Sequence, residues 1–212
     1  MGNLSKQPLR IMSFMISKGL GKMTNLQFSS PLTLKQDFLG EGIKITSTEY
    51  VGKINFRCDP NNSLIFNGIK DITGINLPLK SGEVFGNNDY RIQWLGPNEW
   101  ILQCADNQRE LLINNINSKL AGEHFSITDV SDYYLTIRLS GVNSNEILSK
   151  GTPLDLETFI CNKDMCAQTY IAKATVLIDR LSNEPLYDIS VRWSYAEYLW
   201  EWLVDSSLEF TK

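Results

Sequence analysis

Residues 129–156, DVSDYYLTIRLSGVNSNEILSKGTPLDL, carry the strongest fold signal in this chain. From Tyr133 to Leu139, every second side chain is apolar or aromatic, and this period of two is typical of a half-buried strand. Gly141 ends the predicted strand. No nucleophile, general base or metal ligand is arranged within these residues. They therefore predict a scaffold, and any chemistry would have to come from another part of the chain.

A short helix is predicted directly after this strand. Asn143 and Glu146 have the spacing of a capping box, in which each side chain accepts a hydrogen bond from a free backbone N–H group of the first turn. Gly151 predicts a left-handed stop, and Pro153 prevents the helix from continuing.

Toward the N-terminus, residues 53–130 predict the element order β-α-β-β-α-β. The first helix is expected to start at Asp59, as the cap, and to end at Gly74. Asp106 is the predicted cap of the second helix, and residues 77–88 are predicted to form a loop.

The C-terminal part predicts a similar order of elements, without a sequence repeat. Its strand and short helix are followed by a hairpin at 167–181, a strand at 186–192 and a helix at 194–205. Split βαβ units of this kind form antiparallel sheets with helices on one face. We therefore predict an α+β fold of two split-βαβ, ferredoxin-like halves, residues 32–130 and residues 131–212.

Residues 1–31 differ in composition from the rest of the chain. They contain no acidic residue, and their charges are Lys6, Arg10, Lys18 and Lys22. We interpret them as a loose basic leader, although an organelle-targeting segment would have the same composition. Their apolar run is too short to cross a membrane.

The last predicted helix is unusually rich in aromatic residues. Ser194 and Glu197 have the spacing of a capping box, and Glu197, Glu201 and Asp205 form one narrow polar stripe. Either the helix is wrapped by its own domain, or one flank contacts another protein. The candidates for partner contact are the large aromatic residues of this helix and of a predicted hairpin at 90–104: Trp94, Trp100, Trp193, Tyr198, Trp200 and Trp202.

The composition argues against several classes of function. A net charge of −4 argues against a nucleic-acid-binding protein. With His124 as the one histidine, a histidine-based metal site is disfavoured, and the four cysteines are interpreted as core residues or inert thiols. The sequence contains no P-loop, no dinucleotide-binding glycine motif and no nucleophile elbow.

Five segments, taken in order, resemble the gamma subunit of heterotetrameric sarcosine oxidase. They are WLGPNEWIL at 94–102, DVSD at 129–132, LSGVNSNEILSKGTPLDL at 139–156, CAQTYIAKATVLIDR at 166–180 and SYAEYLWEWLVD at 194–205. The resemblance extends over residues 32–205. It implies a fold similar to the folate-binding domain of the aminomethyltransferases.

The resemblance also implies a place in an oxidoreductase complex of sarcosine catabolism and one-carbon metabolism. Such complexes demethylate sarcosine to glycine, produce hydrogen peroxide and 5,10-methylenetetrahydrofolate, and are expected in the cytoplasm. NAD and tetrahydrofolate are expected on the alpha subunit, FAD on the beta subunit, FMN between these two, and zinc in the delta subunit. The gamma chain is expected to bind no cofactor and to act in assembly. The alternative is a stand-alone folate-binding protein of the aminomethyltransferase superfamily.

Overall fold

The structure is a computed structural model that describes residues 30–48 and 50–211. It contains eleven strands: β1 (Phe38–Gly40), β2 (Ile43–Ser47), β3 (Val51–Cys58), β4 (Val84–Gly86), β5 (Tyr90–Gly96), β6 (Glu99–Ala105), β7 (Phe125–Asp129), β8 (Tyr134–Ser140), β9 (Met165–Ile171), β10 (Ala174–Arg180) and β11 (Leu186–Arg192). The helices among these residues are α1 (Ser63–Thr73), α2 (Arg109–Lys119), α3 (Ser144–Ser149), α4 (Leu156–Phe159) and α5 (Ala196–Ser206). The predicted leader lies outside the described residues, apart from residues 30 and 31. None of the described helices is long and apolar enough to cross a membrane.

The first sheet confirms the predicted split-βαβ order. Its strands lie in the order β4-β5-β6-β3-β7, and every neighbouring pair is antiparallel. Helices α1 and α2 pack on one face of it through Ile65, Ile69, Leu112 and Ile116, which are buried with the strand residues of that face. One detail differs from the prediction, because β4 lies within residues 77–88 and pairs with β5 as a short edge strand.

The second sheet takes strands from both ends of the described chain. Its order is β1-β2-β8-β11-β10-β9, so β2 pairs with β8 although the whole first unit separates them in sequence. The backbone N–H of Glu41 donates to the carbonyl of Phe210 at 2.7 Å, which brings the β1–β2 turn beside the C-terminal end. The predicted halves follow chain order, whereas β1 and β2 complete the sheet of the second half and cover what would be an open edge at β8.

The two sheets pack face to face, with the helices on the outer faces. On β3, Ile54 and Phe56 are buried on the helix side, and Lys53 is buried on the other side. The side chain of Lys53 reaches Thr136 of the second sheet, and Arg91 of β5 reaches Asp179 of β10. The architecture therefore has four layers: helices, sheet, sheet and helices. Between the sheets lies a largely polar layer, next to a small apolar cluster of Val84, Cys166 and Leu177 that also joins the two sheets.

The first helix starts later than the sequence predicts. Asn62 is its cap, and the amide oxygen of Asn62 accepts from the backbone N–H groups of Leu64 and Ile65 at 3.0 and 3.2 Å. Asp59 instead belongs to the preceding turn. The predicted end is confirmed, because Gly74 has φ +74° and its N–H closes the last turn.

Three other predicted caps are wrong, because their side chains have different partners or the helix starts elsewhere. Asp106 pairs with the guanidinium of Arg109 at 2.8 Å, and α2 begins after a short 3₁₀ turn. Asn143 caps no backbone N–H group, since its amide donates to a carbonyl in the β1–β2 turn. Ser194 lies in a 3₁₀ turn, and α5 begins two residues later without a side-chain cap.

Gly151 is needed for packing and not for a left-handed backbone. Its φ is not among the positive ones, so the predicted left-handed stop is wrong. A Cβ atom at this position would lie 2.4 Å from Cη2 of Trp202. The indole of Trp202 therefore rests directly on the backbone that leaves α3, where a side chain of any size would displace it.

Candidate functional site

At one end of the polar layer, an ion-pair network holds the two sheets together. Arg91 donates from Nε and Nη2 to both carboxylate oxygens of Asp179, at 2.6 and 2.7 Å, and Gln93 donates to the same carboxylate at 2.6 Å. Arg91 also donates a hydrogen bond from Nη1 to the carboxylate of Asp164 at 2.9 Å. Burial raises the pKa of Asp179, and the hydrogen bonds from Arg91 oppose this effect. A buried carboxylate is stable when it is paired and fully hydrogen-bonded, so this end of the layer is closed and structural.

At the other end of the layer lies a lysine that has no carboxylate partner among the described residues. Lys53 is 3% exposed, and its ammonium donates to the hydroxyl of Thr136 at 2.8 Å. The carboxylate of Asp188 belongs to Arg138, which donates to both of its oxygens at 2.7 and 2.8 Å. Burial lowers the pKa of Lys53 from 10.5 to about 8, although Asp188 acts in the opposite direction. Lys53 is therefore a buried and weakly held amine that is mainly protonated at pH 7 and loses its proton more readily than an exposed lysine.

The DVSD motif fixes the backbone from which Lys53 projects. Ser131 accepts from the backbone N–H of Lys53 at 2.8 Å, and the N–H of Val130 donates to the carbonyl of Lys53 at 2.9 Å. The N–H of Ser131 in turn donates to the carboxylate of Asp129 at 3.0 Å, which forms an Asx turn at this junction. Asp132 accepts from the hydroxyl of Tyr50 at 2.9 Å. The motif ties β3 to the start of β8 and so holds the amine against the second sheet.

A cleft of about 210 Å³ lies at the Lys53 end of the polar layer. Its lining is partly hydroxylic and partly apolar, and consists of Ser30, Leu32, Thr33, Ser47, Thr48, Tyr50, Val51, Lys53, Tyr134, Leu135 and Thr136. Lys53 is the one charged side chain among these described lining residues. Burial raises the pKa of Tyr134, so this phenol keeps its proton and can donate a hydrogen bond.

Beside the cleft, an exposed group of tyrosines forms what we call the tyrosine patch: Tyr133, Arg192, Tyr195 and Tyr198. The three tyrosines are 43%, 41% and 36% exposed. Tyr195 and Tyr198 meet edge to face at 6.3 Å between ring centroids, and the guanidinium of Arg192 lies 5.5 Å from the ring centroid of Tyr133. Tyr134 connects the patch to the cleft, because it contacts the ring of Tyr133 and also lines the cleft.

The six aromatic residues that the sequence analysis selected as partner contacts differ in their exposure to solvent. Trp100 and Trp200 are core residues without surface for a partner, and the indole N–H of Trp100 donates to the carbonyl of Pro78 at 2.7 Å. Three are half-buried against the cores: Trp94, Trp193 and Trp202. Tyr198 alone among the six is exposed, and it belongs to the tyrosine patch.

Helix α5 is largely wrapped by its own domain, which was the first of the two predicted alternatives. Its buried side is formed by Ala196, Leu199, Trp200 and Leu203. The carboxylates of Glu197 and Glu201, in the predicted polar stripe, both hold the ammonium of Lys35 at 3.0 Å. The exposed flank that remains is the part of α5 that belongs to the tyrosine patch.

The cysteines are mainly core residues, as predicted. Burial raises the pKa of the thiols of Cys58 and Cys104 to about 11 and that of Cys166 to about 12. Cys161 is half-buried, and all four thiols are free. In the part of the chain that the structure describes, no three His, Cys, Asp or Glu side chains are grouped so that they could hold a metal ion.

Comparison with known proteins gives one family and a set of similar folds. The model of the family described as sarcosine oxidase, gamma subunit, matches residues 57–209. A chain of heterotetrameric sarcosine oxidase from Corynebacterium sp. U-96, solved in complex with pyrrole 2-carboxylate, is similar with a TM-score of 0.75 and 25% identity. That alignment covers 83% of this chain and 89% of the other. Comparison with curated protein sequences gives no match.

The fold is also similar to that of an aminomethyltransferase. The glycine cleavage system aminomethyltransferase T from Bartonella henselae aligns with a TM-score of 0.59 and 10% identity, over 78% of this chain and 46% of that protein. At this identity the likeness shows the fold alone. It agrees with the predicted similarity of fold to the aminomethyltransferases.

Proposed function

The chain belongs to the sarcosine oxidase gamma subunit family, and we propose from this that it is the non-catalytic gamma subunit of a heterotetramer that oxidatively demethylates sarcosine to glycine. The observation that carries the proposal is the family match over residues 57–209, together with a structural match that covers 89% of a chain from a heterotetrameric sarcosine oxidase. In this proposal the complex works in the cytoplasm, releases hydrogen peroxide and produces 5,10-methylenetetrahydrofolate.

The proposal assigns every cofactor to the partner subunits. NAD and tetrahydrofolate belong to the alpha subunit, FAD to the beta subunit, FMN to the boundary between them, and zinc to the delta subunit. This chain contributes shape and stability. The Arg91–Asp179 network is consistent with such a role, because it is a buried ion pair that joins the two sheets and performs no chemistry.

The tyrosine patch is the surface that we propose for contact with another subunit of the complex. Tyrosine and arginine are enriched among the residues that dominate binding energy at protein interfaces. Large aromatic side chains also lose little conformational freedom when a partner covers them. Within the described residues, the patch places three exposed tyrosines and one arginine on the adjoining ends of β8, β11 and α5.

The role as a subunit can be tested by co-expression with the alpha, beta and delta chains of the same organism. A tag on this chain should retain a flavin-containing complex that oxidises sarcosine, whereas the purified chain alone should be colourless and inactive. Flavin bound to the solitary chain, or amine oxidation by it, would refute the non-catalytic role. Tetrahydrofolate binding by the solitary chain, measured by calorimetry, would favour the stand-alone folate-binding alternative.

The proposed contact surface can be tested with a double variant, Tyr195→Ser/Tyr198→Ser. A combined loss of about 2 kcal/mol or more of binding free energy from the two tyrosines should weaken assembly by roughly thirtyfold or more. Tyr170→Ser is the matched control, because Tyr170 is 57% exposed on the edge strand β9 and lies outside the patch. If the double variant and the control assemble equally well, the patch is not a subunit contact.

A further inference from the structure

Lys53 lacks the partner that a buried ammonium normally has. A lysine ammonium has three donors, and Lys53 uses one of them on Thr136. That hydroxyl is itself shared with Ser190, at 3.2 Å. Charged side chains are seldom buried unless an opposite charge or a full set of acceptors compensates for lost hydration. The fold therefore keeps an incompletely satisfied cation in the lining of the cleft.

The lining of the cleft indicates which counter-charge would satisfy this cation. With one positive charge and no carboxylate among the described lining residues, the cleft suits a single negative charge. The protonated phenol of Tyr134 and the hydroxyl of Ser47 add neutral donors. Leu32, Val51 and Leu135 add an apolar wall for a short hydrocarbon group.

The size of the cleft limits the group that can enter. Its volume of about 210 Å³ is that of roughly seven water molecules at about 30 Å³ each. This space accepts a carboxylate with a few carbon atoms. Phosphate, with a charge near −2 at neutral pH, would require a second cation.

We propose that the cleft is a carboxylate site, in which Lys53 holds one carboxylate group and Tyr134 and the neighbouring hydroxyls complete its hydrogen bonds. This inference goes beyond the proposed function, because it concerns a ligand of this chain itself. The carboxylate belongs either to a small free monocarboxylate or to an acidic side chain of an adjoining subunit, and Tyr134 connects the cleft with the proposed contact surface.

The test uses cyanate, a small reagent that carbamylates neutral amines. The full-length chain is treated near pH 7.5 with and without propionate, at ionic strength matched with chloride, and modification of each lysine is followed by mass spectrometry of peptides. Saturating propionate should slow the carbamylation of Lys53 roughly tenfold or more by mass action. Lys44, an exposed lysine on β2, is the internal control and should react equally fast in both conditions.

A thermal-unfolding arm gives a second readout. Propionate should raise the melting temperature of the wild-type chain and of Lys44→Met, and this increase should be lost in Lys53→Met, because a ligand of the folded state stabilises it. If propionate neither protects Lys53 nor shifts the melting temperature, a free carboxylate is excluded as the ligand.

The assembled complex separates the two sources of the carboxylate. If an acidic side chain of a partner fills the cleft, Lys53 will already resist cyanate in the complex without propionate. If a free monocarboxylate is the ligand, protection in the complex will require propionate. Equal reactivity of Lys53 in the free chain and in the complex, together with no effect of propionate in either, would overturn the proposal. None of these readouts depends on catalysis by the complex, so the site and the proposed function can fail separately.

Discussion

Replacing Lys53 with methionine should stabilise the folded chain at neutral pH. Burial lowers the pKa of this lysine from 10.5 to about 8, and each unit of pKa corresponds to about 1.4 kcal/mol. Keeping the amine charged in the folded state therefore costs about 3 kcal/mol below pH 8. Methionine has a similar length and no charge, so Lys53→Met should recover most of that free energy, less about 1 kcal/mol for the lost hydrogen bond to Thr136.

The stability that the chain gains from Lys53→Met should decrease as the pH rises. Between pH 8 and 10.5 the unfolded chain binds more protons at Lys53 than the folded chain does, so this residue makes the wild type more stable as the pH rises. The buried thiols act in the opposite direction above about pH 9, because their pKa values are raised on folding. The variant retains these thiols, so the difference between the two proteins isolates Lys53.

The measurement is unfolding by guanidinium chloride, followed by tryptophan fluorescence at several pH values from 7 to 10.5. The free energy of unfolding of Lys53→Met should be about 2 kcal/mol higher than that of the wild type at pH 7, and this difference should disappear by pH 10.5. Lys44→Met, at an exposed position, should show no such pH-dependent difference. A difference between Lys53→Met and wild type that stays constant over this range would refute the burial of a destabilised ammonium.

Two further changes test the packing and the ion pair. Gly151→Ala should lower the free energy of unfolding by about 1–3 kcal/mol, because the new methyl group would meet Trp202 at 2.4 Å. Gly96→Ala, whose methyl group has its nearest neighbour at 3.7 Å, is the control in the same denaturation experiment, and equal losses would contradict the packing argument. Arg91→Met should cost about 3–5 kcal/mol, because it leaves the buried carboxylate of Asp179 without its bidentate partner. Arg91→Met/Asp179→Leu should recover much of that loss, and a double variant as unstable as the single one would show that the pair is not what stabilises this end of the layer.

The order of elements was predictable because it depends on local patterns. The alternation from Tyr133 to Leu139 is present in the sequence itself, and strand β8 confirms it. The strand predicted at 186–192 and the helix end at Gly74 are confirmed as well. The caps were harder to predict. Asp106 and Asn143 have the right chemistry for a helix start, but Arg109 and a distant carbonyl compete for their side chains. Arg109 lies three positions after Asp106, whereas the carbonyl that binds Asn143 is 102 positions away in sequence, so only the second competitor is hidden from local patterns.

The candidate site was predictable only in part. The aromatic content of α5 indicated a contact surface, and Tyr198 does lie on one. Composition could not show that Trp100 and Trp200 are buried, since an indole can serve as core or as surface. Lys53 was missed because it alternates with the apolar residues of β3 and shares its side of the strand with Asn55 and Arg57, as a solvent-exposed lysine would.

The linear chain therefore contained enough information for most of its strands and helices and for its fold class, because hydrophobic period and turn residues act over a few positions. The three-dimensional packing was needed to show that β2 closes the second sheet, that Trp202 rests on Gly151, and that a cleft forms around Lys53. Each of these features depends on contacts between residues far apart in sequence, and Lys53 and Thr136 are separated by 83 positions. The burial and the electrostatic environment of a residue arise from such contacts, so they can be determined only from the tertiary structure.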